Sequence, residues 1–105
     1  MTNEEKLKAN MAAARLIGYA SPHHDGESVF VHATNAEKDD SGLCLFDIFS
    51  NPTDQLAVVH ELCERCITIR KQARNDYRIV RYTSMSRKGR RSYAEAVAAA
   101  LLEVA

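Results

Sequence analysis

The chain has 105 residues, 46% of them apolar and 27% charged, with a formal net charge of zero. That length and composition fit one globular domain spanning residues 1–105, and no apolar run approaches the roughly 18 residues that suggest a membrane-spanning helix. Three cysteines, an odd number, with no apolar leader segment, point to the reducing cytoplasm rather than to a disulfide-stapled secreted fold.

The first helix has a marked start. Thr2 and Glu5 form a capping box, each side chain satisfying a backbone N–H at the other's position. Leu7, Met11, Ala14 and Ile17 recur at helical spacing, and Gly18 is the expected stop. Residues 19–27, containing SPHHDGE, read as a loop. Residues 28–34 (SVFVHAT) and 42–49 (GLCLFDIF) read as strands joined through the polar run NAEKDDSG in a hairpin. The second of these is apolar on both faces, Cys44, Phe46 and Ile48 alternating with Leu43 and Leu45, so a central strand covered on both sides is expected.

A second helix follows FSNPTDQ, with Asn51 at the N-cap, Pro52 at the first helical position and Asp54 near the positive end of the helix dipole. Leu56, Val59, Leu62, Cys63 and Cys66 continue at helical spacing. Residues 66–71 (CITIRK) and 77–84 (YRIVRYTS) form a second hairpin around a turn at 73–76. The segment MSRKGRRS is a basic, glycine-containing loop. Ser92 and Glu95 then suggest another capping box, opening an alanine-rich helix whose Tyr93, Val97, Ala100, Leu101 and Val104 share a face. The order is α-β-β-α-β-β-α, which predicts an α+β fold: a four-stranded antiparallel sheet from two hairpins, with helices on both faces.

The neutral total conceals segregation. Residues 1–64 carry four Lys/Arg against eleven Asp/Glu, whereas residues 65–91 carry ten against Asp76 alone. One reading is a positive and a negative surface that orient a partner; the other is that the two halves of one fold neutralise each other.

The run FSNPTDQLAVVHEL (residues 49–62) resembles a signature of small phage and prophage proteins, the phage ABA sandwich domain. There a Phe-x-Pro/Ser-Thr-Asp turn enters a helix, a hairpin follows, and a closing helix resembles SYAEAVAAALLEV (residues 92–104). The chain departs from that pattern in having no Trp and a more basic loop at 85–91. The resemblance implies a phage context in a bacterial host's cytoplasm and names no catalytic residue.

Candidate chemistry concentrates in HELCERC (residues 60–66). A zinc site needs three or four ligands about 2.0–2.3 Å from one ion. On a continuous helix His60 and Cys66 stand roughly 9 Å apart along the axis and about 120° around it. His60 therefore does not join Cys63 and Cys66, and with no second ligand pair in the chain no metal or cofactor is expected. Both cysteines continue the apolar stripe, where a free Cys acts as a small hydrophobe. At a helix C-terminus the dipole disfavours the thiolate that redox catalysis needs. His23, His24 and Asp25 read as a solvated turn. No phosphate-binding glycine loop or nucleophile elbow is present, and an enzyme is not expected.

The basic hairpin and loop are the strongest functional signal. Arg70, Arg78, Arg81, Arg87, Lys88, Arg90 and Arg91, with Tyr82, form the candidate partner-binding set. Arg and Tyr are residues of protein–protein hot spots, and equally of phosphate contact and base stacking. The leading expectation is a non-enzymatic phage protein that binds a host protein or complex, for instance an anti-CRISPR inhibitor of host defence. The alternative is a nucleic-acid-binding accessory protein using residues 70–91; a metal or thiol site at Cys63 and Cys66 stands third.

Overall fold

In the computed structural model, residues 1–19, 21–32, 43–82 and 84–104 are described. Helix α1 spans Asn3–Ile17, strand β1 His23–His24, β2 Val29–His32, β3 Leu43–Phe46, helix α2 Pro52–Glu64, β4 Ile67–Ala73, β5 Asp76–Arg81, β6 Ser84–Met85 and helix α3 Tyr93–Val104. The expected connection through NAEKDDSG lies outside the described residues.

The single four-stranded sheet is not formed. Among the described residues there are two separate three-stranded antiparallel sheets, ordered β1-β2-β3 and β4-β5-β6. Two short segments add a third strand to each hairpin: His23–His24, expected in a loop, and Ser84–Met85, expected at the end of a strand and the start of a loop. His23–His24 pairs with Val29 and Phe30 and occupies the edge of β2. Ser84–Met85 pairs with Val80 and Arg81 and occupies the edge of β5. Each hairpin takes its third strand from its own flanking segment, and the two sheets meet through the helices and the core, with no β3–β4 ladder among the described residues. The three helices pack on one another; α1 contacts the first sheet, while α2 and α3 contact the second.

Local signals act as expected at the helix ends. Thr2 and Glu5 cap α1 reciprocally, and Gly18 ends it in the left-handed region at φ 111°. The Asn51 side chain accepts from the N–H groups of Thr53 and Asp54 at the start of α2. Ser92 Oγ accepts from Glu95 N–H at 3.1 Å, which is half of the expected capping box; the Glu95 carboxylate lies instead 3.8 Å from the Met1 ammonium. These capping contacts occupy amide donors that the first helical turn cannot pair internally.

One buried cluster runs through the molecule. It joins Ala9, Ala13 and Ala14 of α1, Val29, Val31 and Phe46 of the first sheet, Ile48, Val58 and Leu62, Ile67 and Ile79 of the second sheet, and Val97 to Leu101 of α3. The small alanines of α1 and α3 let these two helices approach closely.

Strand β3 is an edge strand, not a doubly covered central one. Phe46 points inward and is buried, whereas Leu45 is 58% exposed. The correction to α2 is similar. Val58 and Leu62 are buried, Leu56 is 68% exposed, and Cys63 and Cys66 are exposed. The helix turns its Val58–Leu62 side inward; Leu56 lies about 160° around the axis from Val58 and Cys63 about 140°. The cysteines therefore do not fill the core.

The turn between β3 and α2 ties three elements together. Ile48, fully buried, donates its N–H to Asn10 Oδ1 at 2.9 Å and accepts from Gln55 Nε2 at 3.0 Å through its carbonyl. Asn10 also donates to Asp47 Oδ1 at 3.2 Å, and Asp47 N–H donates to Asp54 Oδ2 at 3.1 Å.

Candidate functional site: the basic end of the second sheet

Register decides what each arginine of the hairpin can do. In the β4–β5 pair Ile67 faces Arg81, Ile69 faces Ile79, and Lys71 faces Tyr77. Directly opposed residues share a face and the period is two, so these pairs project with the buried Ile79 toward the helices. Thr68–Val80 and Arg70–Arg78 project to the other face. Arg81 is thereby separated from Arg70 and Arg78, and its guanidinium pairs with Glu103 of α3.

Arg78 is a structural residue of the loop. Its Nε donates to Asp76 Oδ1 at 2.9 Å and its Nη1 to the carbonyls of Ser86 at 3.2 Å and Arg87 at 2.5 Å. The hydrogen bond to Asp76 holds its guanidinium still more firmly protonated than usual. The fork geometry of arginine suits one side chain to a carboxylate and two carbonyls at once. It also offsets the like-charge opposition of Arg70 and Arg78.

The loop closes on the strand by a mutual backbone pair, Tyr77 N–H to Arg90 O and Arg90 N–H to Tyr77 O, both 2.8 Å. Gly89 sits against the Asp76–Arg78 pair, and a Cβ there would stand 1.9 Å from Asp76 Oδ1. Gly89→Ala should push the carboxylate off Arg78 and cost about 1–3 kcal/mol in urea unfolding, as overpacking does. Arg78→Lys, lacking the fork, should speed amide exchange at Tyr77 and Arg90 while leaving α3 amides protected.

Two of the seven candidate cations are thus engaged inside the fold. Among the described residues, Arg70, Arg87, Lys88, Arg90 and Arg91 make no ion pair. All but the half-buried Arg90 are exposed. The register also adds two cations outside the candidate set. Lys71 lies over the Tyr77 ring, 5.9 Å from its centroid, and exposed Arg74 lies in the hairpin turn. Both were visible in the sequence as members of the charge run; only the hairpin register assigns them to the same end of the sheet as the loop.

Tyr82 does not join them. It is 82% exposed, but it follows β5 at the opposite end, where its N–H donates to Cys66 O. It stands five positions after Tyr77, roughly 17 Å along an extended chain. Tyr77 itself is half-buried and packs edge-on against Tyr93 at 6.0 Å between centroids.

The other sequence clusters resolve simply. Asp25 accepts from the N–H groups of Glu27 and Ser28, and His24 Nδ1 accepts from Gly26 N–H. These contacts hold the β1–β2 turn rather than pairing a base with an orienting carboxylate. His60 pairs with Glu64 at 3.8 Å, and among the described residues no group of three or more His, Cys, Asp or Glu side chains is placed to hold a metal ion. No described helix is long and apolar enough to cross a membrane.

Fold and site together define a small α+β protein with a cationic rim at one end of its second sheet. Comparison of the chain with protein-family models, with curated proteins and with solved structures found no match.

Proposed function

We propose that this chain is a non-enzymatic protein of phage or prophage type that docks the basic end of its second sheet on an acidic face of a host protein. One observation carries the reading: Arg70, Arg87, Lys88 and Arg91, with Arg74 in the turn, are exposed cations without ion-pair partners among the described residues. Arg78 spends its guanidinium holding the loop that presents them. Clustered like charges raise the local potential and speed encounter with a surface of opposite sign.

A protein partner is favoured over single-stranded nucleic acid by the aromatic positions. Stacking on bases requires open rings among the cations. Tyr77 is packed between Lys71 and Tyr93, and Tyr82 lies at the far end. The phage setting rests on the resemblance of residues 49–62 and 92–104, and inhibition of a host defence system, as by an anti-CRISPR protein, is the form the binding takes within it.

The test compares two defined probes, a fluorescent poly-glutamate peptide and an oligo-thymidylate of similar charge. The expected result is salt-sensitive binding of both, with poly-glutamate bound at least as tightly. Preferential binding of the oligonucleotide by tenfold or more, about 1.4 kcal/mol, would favour nucleic acid instead.

A further inference from the structure

We propose that Cys63 and Cys66 form a thiol–disulfide exchange site that takes low-molecular-weight disulfides such as glutathione disulfide and closes into an intramolecular disulfide. Both cysteines are exposed, so the site is open to a small disulfide reagent. They are also held together by the backbone. Helix α2 ends at Glu64, and Cys66 N–H donates to the Cys63 carbonyl at 2.9 Å, closing a turn of four residues. Residues at the ends of such a turn have Cα atoms within about 7 Å, against the roughly 4.4–6.8 Å that a disulfide spans. Cys66 adopts φ 61°, a left-handed position after a helix where glycine or asparagine is usual. A cysteine at that position swings the chain sharply into β4 while its side chain stays at the surface.

The surroundings argue for sulfur exchange rather than metal. His60, the nearest ligand type in sequence, pairs with Glu64 on the exposed side of α2, and no third ligand is gathered among the described residues. The third cysteine, Cys44, lies on β3 and is half-buried.

The exchange balances in two steps. Stoichiometric exchange with excess disulfide needs no dipole-stabilised thiolate: one cysteine, on losing its proton to solvent, attacks a sulfur of glutathione disulfide, forming a mixed disulfide and releasing one glutathione thiolate. The second protein thiolate then attacks the protein-side sulfur, forming the Cys63–Cys66 bond and expelling the second glutathione. The protein loses two thiol protons and two electrons, and one glutathione disulfide becomes two glutathiones. The new bond would staple the corner at which Cys66 O accepts from Tyr82 N–H, joining the end of α2 to the second sheet. It does not depend on the binding reading above.

The test incubates the purified full chain with glutathione disulfide, alkylates the remaining thiols and reads intact mass and peptide map. The wild type should lose two hydrogens, carry no glutathione, and yield Cys63 and Cys66 in a linked peptide with Cys44 alkylated. Cys63→Ser and Cys66→Ser, checked for folding by circular dichroism, should each stop at a single glutathione adduct on the remaining cysteine. Persistent glutathione adducts on both Cys63 and Cys66 of the wild type would overturn the proposal. So would a chain in which both stay alkylatable under conditions that oxidise dithiothreitol, or a disulfide yield that is the same in urea as in the folded protein.

Discussion

Asn10→Leu should destabilise the fold by about 2–4 kcal/mol although leucine matches asparagine closely in size. Two losses combine. The buried Ile48 N–H, now donating to Asn10 Oδ1 at 2.9 Å, would have no acceptor, and an unsatisfied buried donor costs about 1–3 kcal/mol. Asp47 would lose the Asn10 Nδ2 donor that helps hold its carboxylate between α1 and the start of α2. Asn10→Asp keeps the acceptor but sets a second carboxylate against Asp47, so it should be nearly as damaging at neutral pH. Urea unfolding followed by circular dichroism checks both; an Asn10→Leu variant as stable as wild type would show that the turn finds its hydrogen bonds elsewhere. The same hub sets a pH dependence. Burial pushes the Asp47 carboxyl up, but the Ser50 hydroxyl, Phe49 N–H, Asn10 and the Lys6 charge together pull it below its ordinary 3.8. A carboxyl lowered in the folded state contributes stability that is complete above the unfolded value and is lost as pH falls through the folded one. Stability should therefore decline below about pH 4, the usual range of an aspartate, and Asp47→Asn should flatten that part of the curve while lowering stability at neutral pH.

The combined substitution of Arg87, Lys88, Arg90 and Arg91 by alanine should abolish most partner binding without unfolding the domain. Each exposed ion pair lost is worth about 0.5–1 kcal/mol at the upper part of the range for such pairs, so four remove about 2–4 kcal/mol, roughly 30- to 700-fold in affinity. The fold should survive because none of the four side chains makes an ion pair among the described residues. The backbone pair between Tyr77 and Arg90 does not require the arginine side chain. Arg81→Ala is the contrasting case. Its partner is Glu103 of α3, on the face turned to the helices, and binding should change little. Equal losses from Arg81→Ala and the four-residue variant would mean that overall charge, not the rim, carries the interaction.

What could be read from the sequence was local. The caps at Thr2, Gly18, Asn51 and Ser92, and the β4–β5 hairpin, depend on residues within a few positions of one another, and the structure forms them all. What could not be read was which face of an element meets the rest. In α2 the apolar residues Leu56, Ala57, Val58, Val59, Leu62 and Cys63 wrap more than half the helix, so spacing permits two inward faces; packing against α1 and α3 selects the one holding Val58 and Leu62. The same ambiguity turned the cysteines outward. Sheet pairing failed for a related reason, since His23–His24 and Ser84–Met85 form two-residue strands too short to carry any periodic signal. The candidate site was visible as a run of charge, but the sequence did not separate its members. Only the register shows that Arg78 holds the loop, that Arg81 faces α3, and that Tyr82 stands at the other end.

The central claim, that the cationic rim docks on an acidic host protein, is tested most directly by paired capture. Wild-type chain and the Arg87, Lys88, Arg90 and Arg91 alanine variant are immobilised and exposed to bacterial lysate with and without nuclease treatment, and retained proteins are quantified by mass spectrometry. The expected result is one protein or complex held stoichiometrically by the wild type, released by moderate salt and missing from the variant. The claim is contradicted if both chains retain the same proteins, or if everything specific to the wild type disappears on nuclease treatment.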